Sequence, residues 1–246
     1  MRIQLVITGL TVGGAEKIVV ALADRYAVGG NAVTLVRLHG SADVTPNNPS
    51  VRLENLGIRR NPVSFFRGLW RLWRLTHEFR PDVVNSHLVH ANILTRLSRL
   101  FMPVPRLVSS AHNCNEEGRG RMIAYRLTDR LADISTNVSE EAVEAFEQQG
   151  ALRPGRMVAI HNGIDIDHFS FDEQARRNVR AELGLNTTTP LLLAVGRLWE
   201  PKDYPTLLHA FSRLSNGRDR PHLAIVGDRP LLGELQNLAG SLGITD

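Results

Sequence analysis

Short apolar runs and helix-patterned segments take turns along the whole chain, and this alternation limits the possible folds more than any other feature. Strand character covers residues 3–8, 32–38, 51–56, 83–87, 106–110, 134–138 and 157–160. Helical character covers 16–28, 62–79, 89–100, 118–131 and 140–149, with Ser139 suited to cap the last of these. In the first helix Ile18, Val19, Leu22, Ala23 and Tyr26 are expected on the buried side. Residues 40–50 are polar and carry Pro and Asn, which reads as a loop. Strands interleaved with helices in this order build a parallel sheet covered on both faces. The expected fold class is α/β, a doubly wound parallel sheet.

The pattern breaks at residues 161–171, where Asn162 and Gly163 form a turn signal. This places one domain at 1–160, a linker with a connecting helix at 161–189, and a second, partial domain at 190–246. The last part reads as strand 191–195, helix 205–214, strand 223–226 and helix 231–242. The uninterrupted apolar run from Leu191 to Val195 is patterned for burial on both faces. Right-handed crossovers, however, put both following helices on one side of such a pair of strands. A half built this way is expected either to be completed by a partner or to be the shortened remainder of a two-domain protein.

Composition narrows the partners only coarsely. A net charge of +4 favours anionic ligands without choosing among phosphates, lipid headgroups and nucleic acid. The single cysteine, Cys114, excludes an internal disulfide and a cysteine-rich metal site. No apolar run approaches the roughly 18 residues that span a bilayer. The first residues read as a strand rather than a signal peptide, so a cytoplasmic location is expected.

Four places could carry chemistry. After the first strand, residues 9–16 hold Gly9, Gly13 and Gly14, which allow a ligand to approach the backbone; a tight turn explains them equally well. The dinucleotide spacing of three glycines is missing, which argues against an NAD enzyme. His87, His90 and His112 sit at or just past the carboxyl ends of strands, where ligands bind in such sheets; packed or surface histidines are the other reading. No acidic residue lies at a matching strand end, so no metal is expected. On helix 62–79, Phe65, Phe66, Leu69, Trp70, Leu72 and Trp73 are expected on one broad side, with Arg67, Arg71 and Arg74 on another. That helix either packs on the sheet with its arginines in water or lies on an anionic membrane; its aromatics, read as buried or lipid-facing, do not suit a nucleic-acid surface. Finally, Gly196, Arg197 and Lys202 fall between a strand and a helix expected near Pro205. Two cations and a helix N-terminus can hold a diphosphate, although two solvated charges fit the same spacing.

Taken together, these pieces resemble the retaining glycosyltransferases of family 4, which have two facing Rossmann-like domains (the GT-B fold). The matching residues are Gly13, Gly14, Ala15 and Glu16; Pro81, Asp82, Val83 and Val84 leading to His87; His112; Asn162, Gly163, Ile164, Asp165 and Phe169; Val195, Gly196, Arg197, Leu198 and Lys202; and Val226, Gly227 and Asp228. The resemblance implies transfer of a sugar from a nucleotide-sugar to a glycan or lipid-linked acceptor with retention, in cell-surface polysaccharide synthesis, without metal or cofactor. It implies that Gly196, Arg197, Lys202 and Gly14 bind the donor, that His112 is the catalytic residue beside the transferred sugar, and that Gly13, Glu16 and His87 lie on the acceptor side. A cytoplasmic protein at the inner face of the plasma membrane, touching it through residues 62–80, fits the same picture. The family's donor domain usually has two glutamates separated by seven residues, and no glutamate here has another eight positions on. By this reading the chain is weak or inactive by itself. A non-catalytic remnant and a nucleotide-sugar epimerase are the alternatives.

Overall fold

The structure is a computed structural model and describes residues 1–116, 118–214, 221–228 and 230–245. It divides into two compact units, Met1–Ile164 and Asp165–Asp246.

The first unit is a seven-stranded sheet in the order β3-β2-β1-β4-β5-β6-β7. Its strands are β1 (Arg2–Ile7), β2 (Ala32–Arg37), β3 (Arg52–Asn55), β4 (Val83–His87), β5 (Leu107–Ser110), β6 (Ile134–Asn137) and β7 (Met157–Ala159), and every pair is parallel. Helices α1 (Gly14–Val28), α2 (Pro62–Phe79), α3 (Val89–Ser98), α4 (Arg119–Thr128) and α5 (Glu140–Gln148) connect them. The strand order reverses between β1 and β4, and in open α/β sheets ligands bind at such a switch point, beyond the carboxyl ends of the strands. Register levels those ends: Ile7 pairs with His87, His87 with Ser110 and Ser110 with Thr136.

Local chemistry sets the element ends. Asn61 accepts from Ser64 N at 2.9 Å and Pro62 opens α2, while Ser139 accepts from Ala142 N at 3.2 Å to cap α5. Two apolar clusters cover opposite faces of the sheet. Leu5, Ile7, Leu35, Val19 and Ala23 form one, and Val6, Val36, Val84, Leu72 and Leu94 the other.

Two helix faces differ from expectation. In α1 the buried residues are Val19, Val20 and Ala23, while Ile18 and Leu22 are only half-buried. Residues 18–23 are all apolar, so periodicity alone does not select a side. In α2 the core side is Gly68, Leu72 and Thr76, with Leu69 and Leu75 at its margins. Gly68 is needed there because a Cβ would overlap Ile58. The aromatics do not share that side: Phe65, Phe66, Trp70 and Trp73 are exposed, Phe66 at 67%. At about 100° per residue, Val63, Phe66, Trp70 and Trp73 form a stripe opposite the core, flanked by exposed Arg67, Arg71 and Arg74.

The interior between β5, β6 and α4 is polar. Arg96 is fully buried, donates to Ser109 Oγ at 3.1 Å and Ser135 Oγ at 2.9 Å, and stacks 4.7 Å from the Tyr125 ring.

The second unit holds α6 (Glu173–Glu182), β8 (Leu191–Val195), α7 (Tyr204–Leu214), β9 (His222–Val226) and α8 (Leu232–Ser241), with β8 and β9 parallel. Leu198, Tyr204, Leu208 and Leu235 form its core. The other face is open: Leu193 is 63% and Val195 70% exposed. The double-sided burial read from Leu191 to Val195 is therefore not realised among the described residues. Both connecting helices lie on the same side, as the handedness of the crossover requires.

Candidate active site

In the first unit the site is built on the level carboxyl ends of β1, β4, β5 and β6. The loop after β1 leads into α1 at Gly14, two residues earlier than the sequence pattern suggests. Nothing lies within 4 Å of where a Gly14 Cβ would stand, so the backbone there faces open space. Glu16 folds back over Gly13, whose Cβ would overlap the carboxylate, and accepts from Thr11 Oγ1 at 3.3 Å.

The three histidines do not form one group. His87, at the last position of β4, and His112, just past β5, meet with His87 Nδ1 3.1 Å from His112 Nε2. His90 stands apart, exposed on the first turn of α3. Burial, with the His112 charge as a lesser cause, pushes His87 down to about 3, and burial pushes His112 down to about 4. Both rings are therefore neutral near pH 7. His90 is lowered by burial first and then by Arg121 and His39.

Several supports around this pair carry no strong sequence signal. Leu88, directly after His87, has φ 70, a backbone region that a branched side chain rarely adopts. Its N–H donates to Ser110 O at 3.2 Å, and its carbonyl accepts from Asn92 N at 2.9 Å. Asn92 in turn donates to Tyr125 OH at 2.7 Å and to Ser110 O at 2.9 Å. The loop after His112 is pinned by Asn137, which donates to Asn113 O at 3.1 Å. The only hint in the sequence is that β4, β5 and β6 turn polar at their carboxyl ends, through Asn85, Ser86, Ser109, Ser110, Thr136 and Asn137. Among the described residues, no three His, Cys, Asp or Glu side chains are grouped to hold a metal ion.

The second unit holds the other site residues. The turn after β8 is fixed by its backbone. Gly196 N donates to Val226 O at 3.0 Å, Leu198 N to Asp228 O at 3.1 Å, and Tyr204 OH to Gly196 O at 3.0 Å. A Gly196 Cβ would come within 4.0 Å of Lys202 Cε, so the lysine stem runs beside the turn that carries Arg197. The Arg197 guanidinium lies 5.5 Å from the centre of the Trp199 ring. Helix α7 begins at Tyr204 rather than Pro205, and Asp203 Oδ1 accepts from Thr206 N at 3.4 Å. An acidic residue thus already sits at this helix end.

Residues 12–168 match the sequence profile of Glycosyltransferase Family 4, and residues 175–246 match that of Glycosyl transferases group 1. A D-inositol 3-phosphate glycosyltransferase from Thermobifida fusca is 36% identical over 53% of this chain and 31% of its own length. One of the same description from Nocardiopsis dassonvillei is 28% identical over 95% of this chain and 62% of its own length. The chain thus spans less than two thirds of these relatives. The crystal structure of Anabaena Alr3699/HepE in complex with UDP and glucose superposes with a TM-score of 0.81 at 18% identity, covering 100% of this chain and 67% of that one. This likeness in fold places the sheets in the GT-B architecture. With a family profile matched over more than half its length, the chain belongs to glycosyltransferase family 4.

Proposed function

We propose that this chain works as a metal-independent glycosyltransferase, moving a sugar from a nucleotide-sugar to a glycan or lipid-linked acceptor with retention, in cell-surface polysaccharide synthesis. The observation that carries the reading is the Gly196–Arg197 turn, held by Tyr204 and Val226, with Lys202 beside it. Two preorganised cations can stabilise the charge that develops on a departing nucleoside diphosphate. The complex of the Anabaena relative with UDP and glucose supports the choice of donor class. In this reading Gly14 admits the donor, His112 stands at the transferred sugar, and Gly13, Glu16 and His87 shape the acceptor side.

Thermal unfolding against a panel of nucleoside diphosphates and their sugars tests it. One of them, at 100 times its Kd, is expected to stabilise the protein by about 2.7 kcal/mol. Arg197→Ala and Lys202→Ala should each remove most of that shift. No shift with any nucleotide would overturn the reading. Stabilisation with release of free nucleotide and no acceptor-linked product would favour an epimerase instead.

The same proposal places the protein at the inner face of the plasma membrane through α2. No helix among the described residues is long and apolar enough to cross a membrane. The support is the exposed stripe Val63, Phe66, Trp70 and Trp73 beside Arg67 and Arg71, the latter also donating to Asn55 O at 3.4 Å; Arg74 is tied to Glu78 at 2.6 Å. Vesicle flotation should show binding to anionic phospholipid and little to phosphatidylcholine. Each basic residue contributes about 1 kcal/mol near such a surface, so Arg67→Ala with Arg71→Ala should weaken binding about 30-fold. Equal flotation of the double variant would remove α2 from the proposal.

A further inference from the structure

The His87–His112 pair contains a choice that geometry can decide. His87 is 2% exposed, and its Nδ1 faces His112 Nε2 at 3.1 Å. The other nitrogen of each ring, His87 Nε2 and His112 Nδ1, is buried without a hydrogen-bond partner. In a neutral pair one proton lies between the two facing nitrogens, so two arrangements exist. If His112 donates, His87 must carry its own proton on Nε2, in the more deeply buried ring. If His87 donates, His87 Nε2 is a bare lone pair, and the unpaired N–H falls on His112 Nδ1, in the less buried ring. An orphaned N–H is rarer and costlier in a protein interior than an orphaned lone pair. The second arrangement therefore places the costlier group in the less buried ring.

The backbone favours a fixed geometry here. Leu88 is held at φ 70 by hydrogen bonds from both of its peptide groups, to Ser110 O and from Asn92 N. Strain of this kind persists only where the surroundings over-determine it, and it gathers at functional sites. The elbow sets His87 at the end of β4, against the loop that carries His112.

We infer that His87 is a positioning residue: it donates Nδ1–H to His112 Nε2 and holds His112 protonated on Nδ1, so that a ligand oxygen reaching His112 meets a hydrogen-bond donor. This rests on the reading of His112 as the residue beside the transferred sugar. The low proton affinity of both rings is consistent with it, because neither needs to ionise.

Long-range 1H–15N imidazole spectra of the uniformly labelled 246-residue chain at pH 7 test the inference directly. The expected result is a protonated Nδ1 and a bare Nε2 on both His87 and His112. A proton on His112 Nε2 would overturn it, and this needs no variant. His87→Asn, whose side-chain N–H can replace the Nδ1 donor, should preserve the His112 tautomer, whereas His87→Phe should lose it. A folded His87→Phe protein with an unchanged His112 spectrum would refute the positioning role. A nucleotide-sugar that raises the melting temperature should also shift the His112 Nδ1 signal. Stabilisation without that shift would remove the donor role at His112 while leaving nucleotide binding intact. Absence of any stabilisation would count against the proposed transferase and leave the tautomer result standing.

Discussion

Gly227→Ala is expected to destabilise the second unit by about 3 kcal/mol and to abolish nucleotide-dependent stabilisation. A Cβ at Gly227 would overlap the Gly196 carbonyl oxygen and stand 2.9 Å from Leu198 Cδ2 and 3.2 Å from Gly196 C. Two of these three atoms are backbone, so the clash is not relieved by turning a side chain. Separation of the two turns would strain the bonds from Gly196 N to Val226 O and from Leu198 N to Asp228 O. Overpacking costs roughly 1–3 kcal/mol, and each lost hydrogen bond about 1 kcal/mol more. The loss falls on a core of few residues, and the turn being pushed aside is the one that carries Arg197. Urea unfolding followed through Trp199 fluorescence, in a background with Trp70→Phe and Trp73→Phe, checks this. An unchanged midpoint would show that the turns do not approach as described. Gly233→Ala is the control: it lies in α8, its Cβ would meet nothing within 4 Å, and it should stabilise by up to about 1 kcal/mol.

Acidification should unfold the first unit earlier than its carboxylates alone would dictate. His87 and His112 have folded-state values of about 3 and about 4, below the ordinary histidine value of about 6.5 in the unfolded chain. Between those values the unfolded chain binds protons that the folded one refuses. Stability is therefore fully present above about pH 6.5 and drains away as pH falls toward 4 and then 3. At about 1.4 kcal/mol per pKa unit, each ring accounts for a loss on the order of 3–5 kcal/mol across that window. A urea-unfolding series from pH 7.5 to 4 should show a steep slope that starts near 6.5. His87→Phe or His112→Phe should flatten it by roughly half. If both variants keep the wild-type slope, the rings are not buried as neutral groups.

The comparison of sequence with structure separates along physical lines. Strands β4 and β8 and helix α2 were legible to the residue, because short apolar runs, helical periodicity and turn residues act over a few neighbours. Gly196, Arg197 and Lys202 were read together because all three residues fall within one strand-to-helix connection. The faces of the helices were not. Apolar residues nearly ring α1 at 18–23, and the aromatics of α2, read as buried or lipid-facing, share its outer side with arginines, so composition did not select a face.

What lay beyond the sequence was every feature made by residues far apart. Gly227 and Gly196 are 31 positions apart, and only the pairing of β8 with β9 shows why the turn at Gly227 leaves no room for a side chain against Gly196. His87, His90 and His112 read as one set at the strand ends, and only the register of β4 with β5 brought two of them to 3.1 Å. No propensity would place Leu88 at φ 70; bonds to Ser110 and Asn92 hold it there. The sequence by itself determined the elements, their order and the family, because periodicity and motif spacing are local. The tertiary structure alone decided which faces are buried and which side chains meet, because those depend on sheet order, and sheet order joins residues that have no relation along the chain.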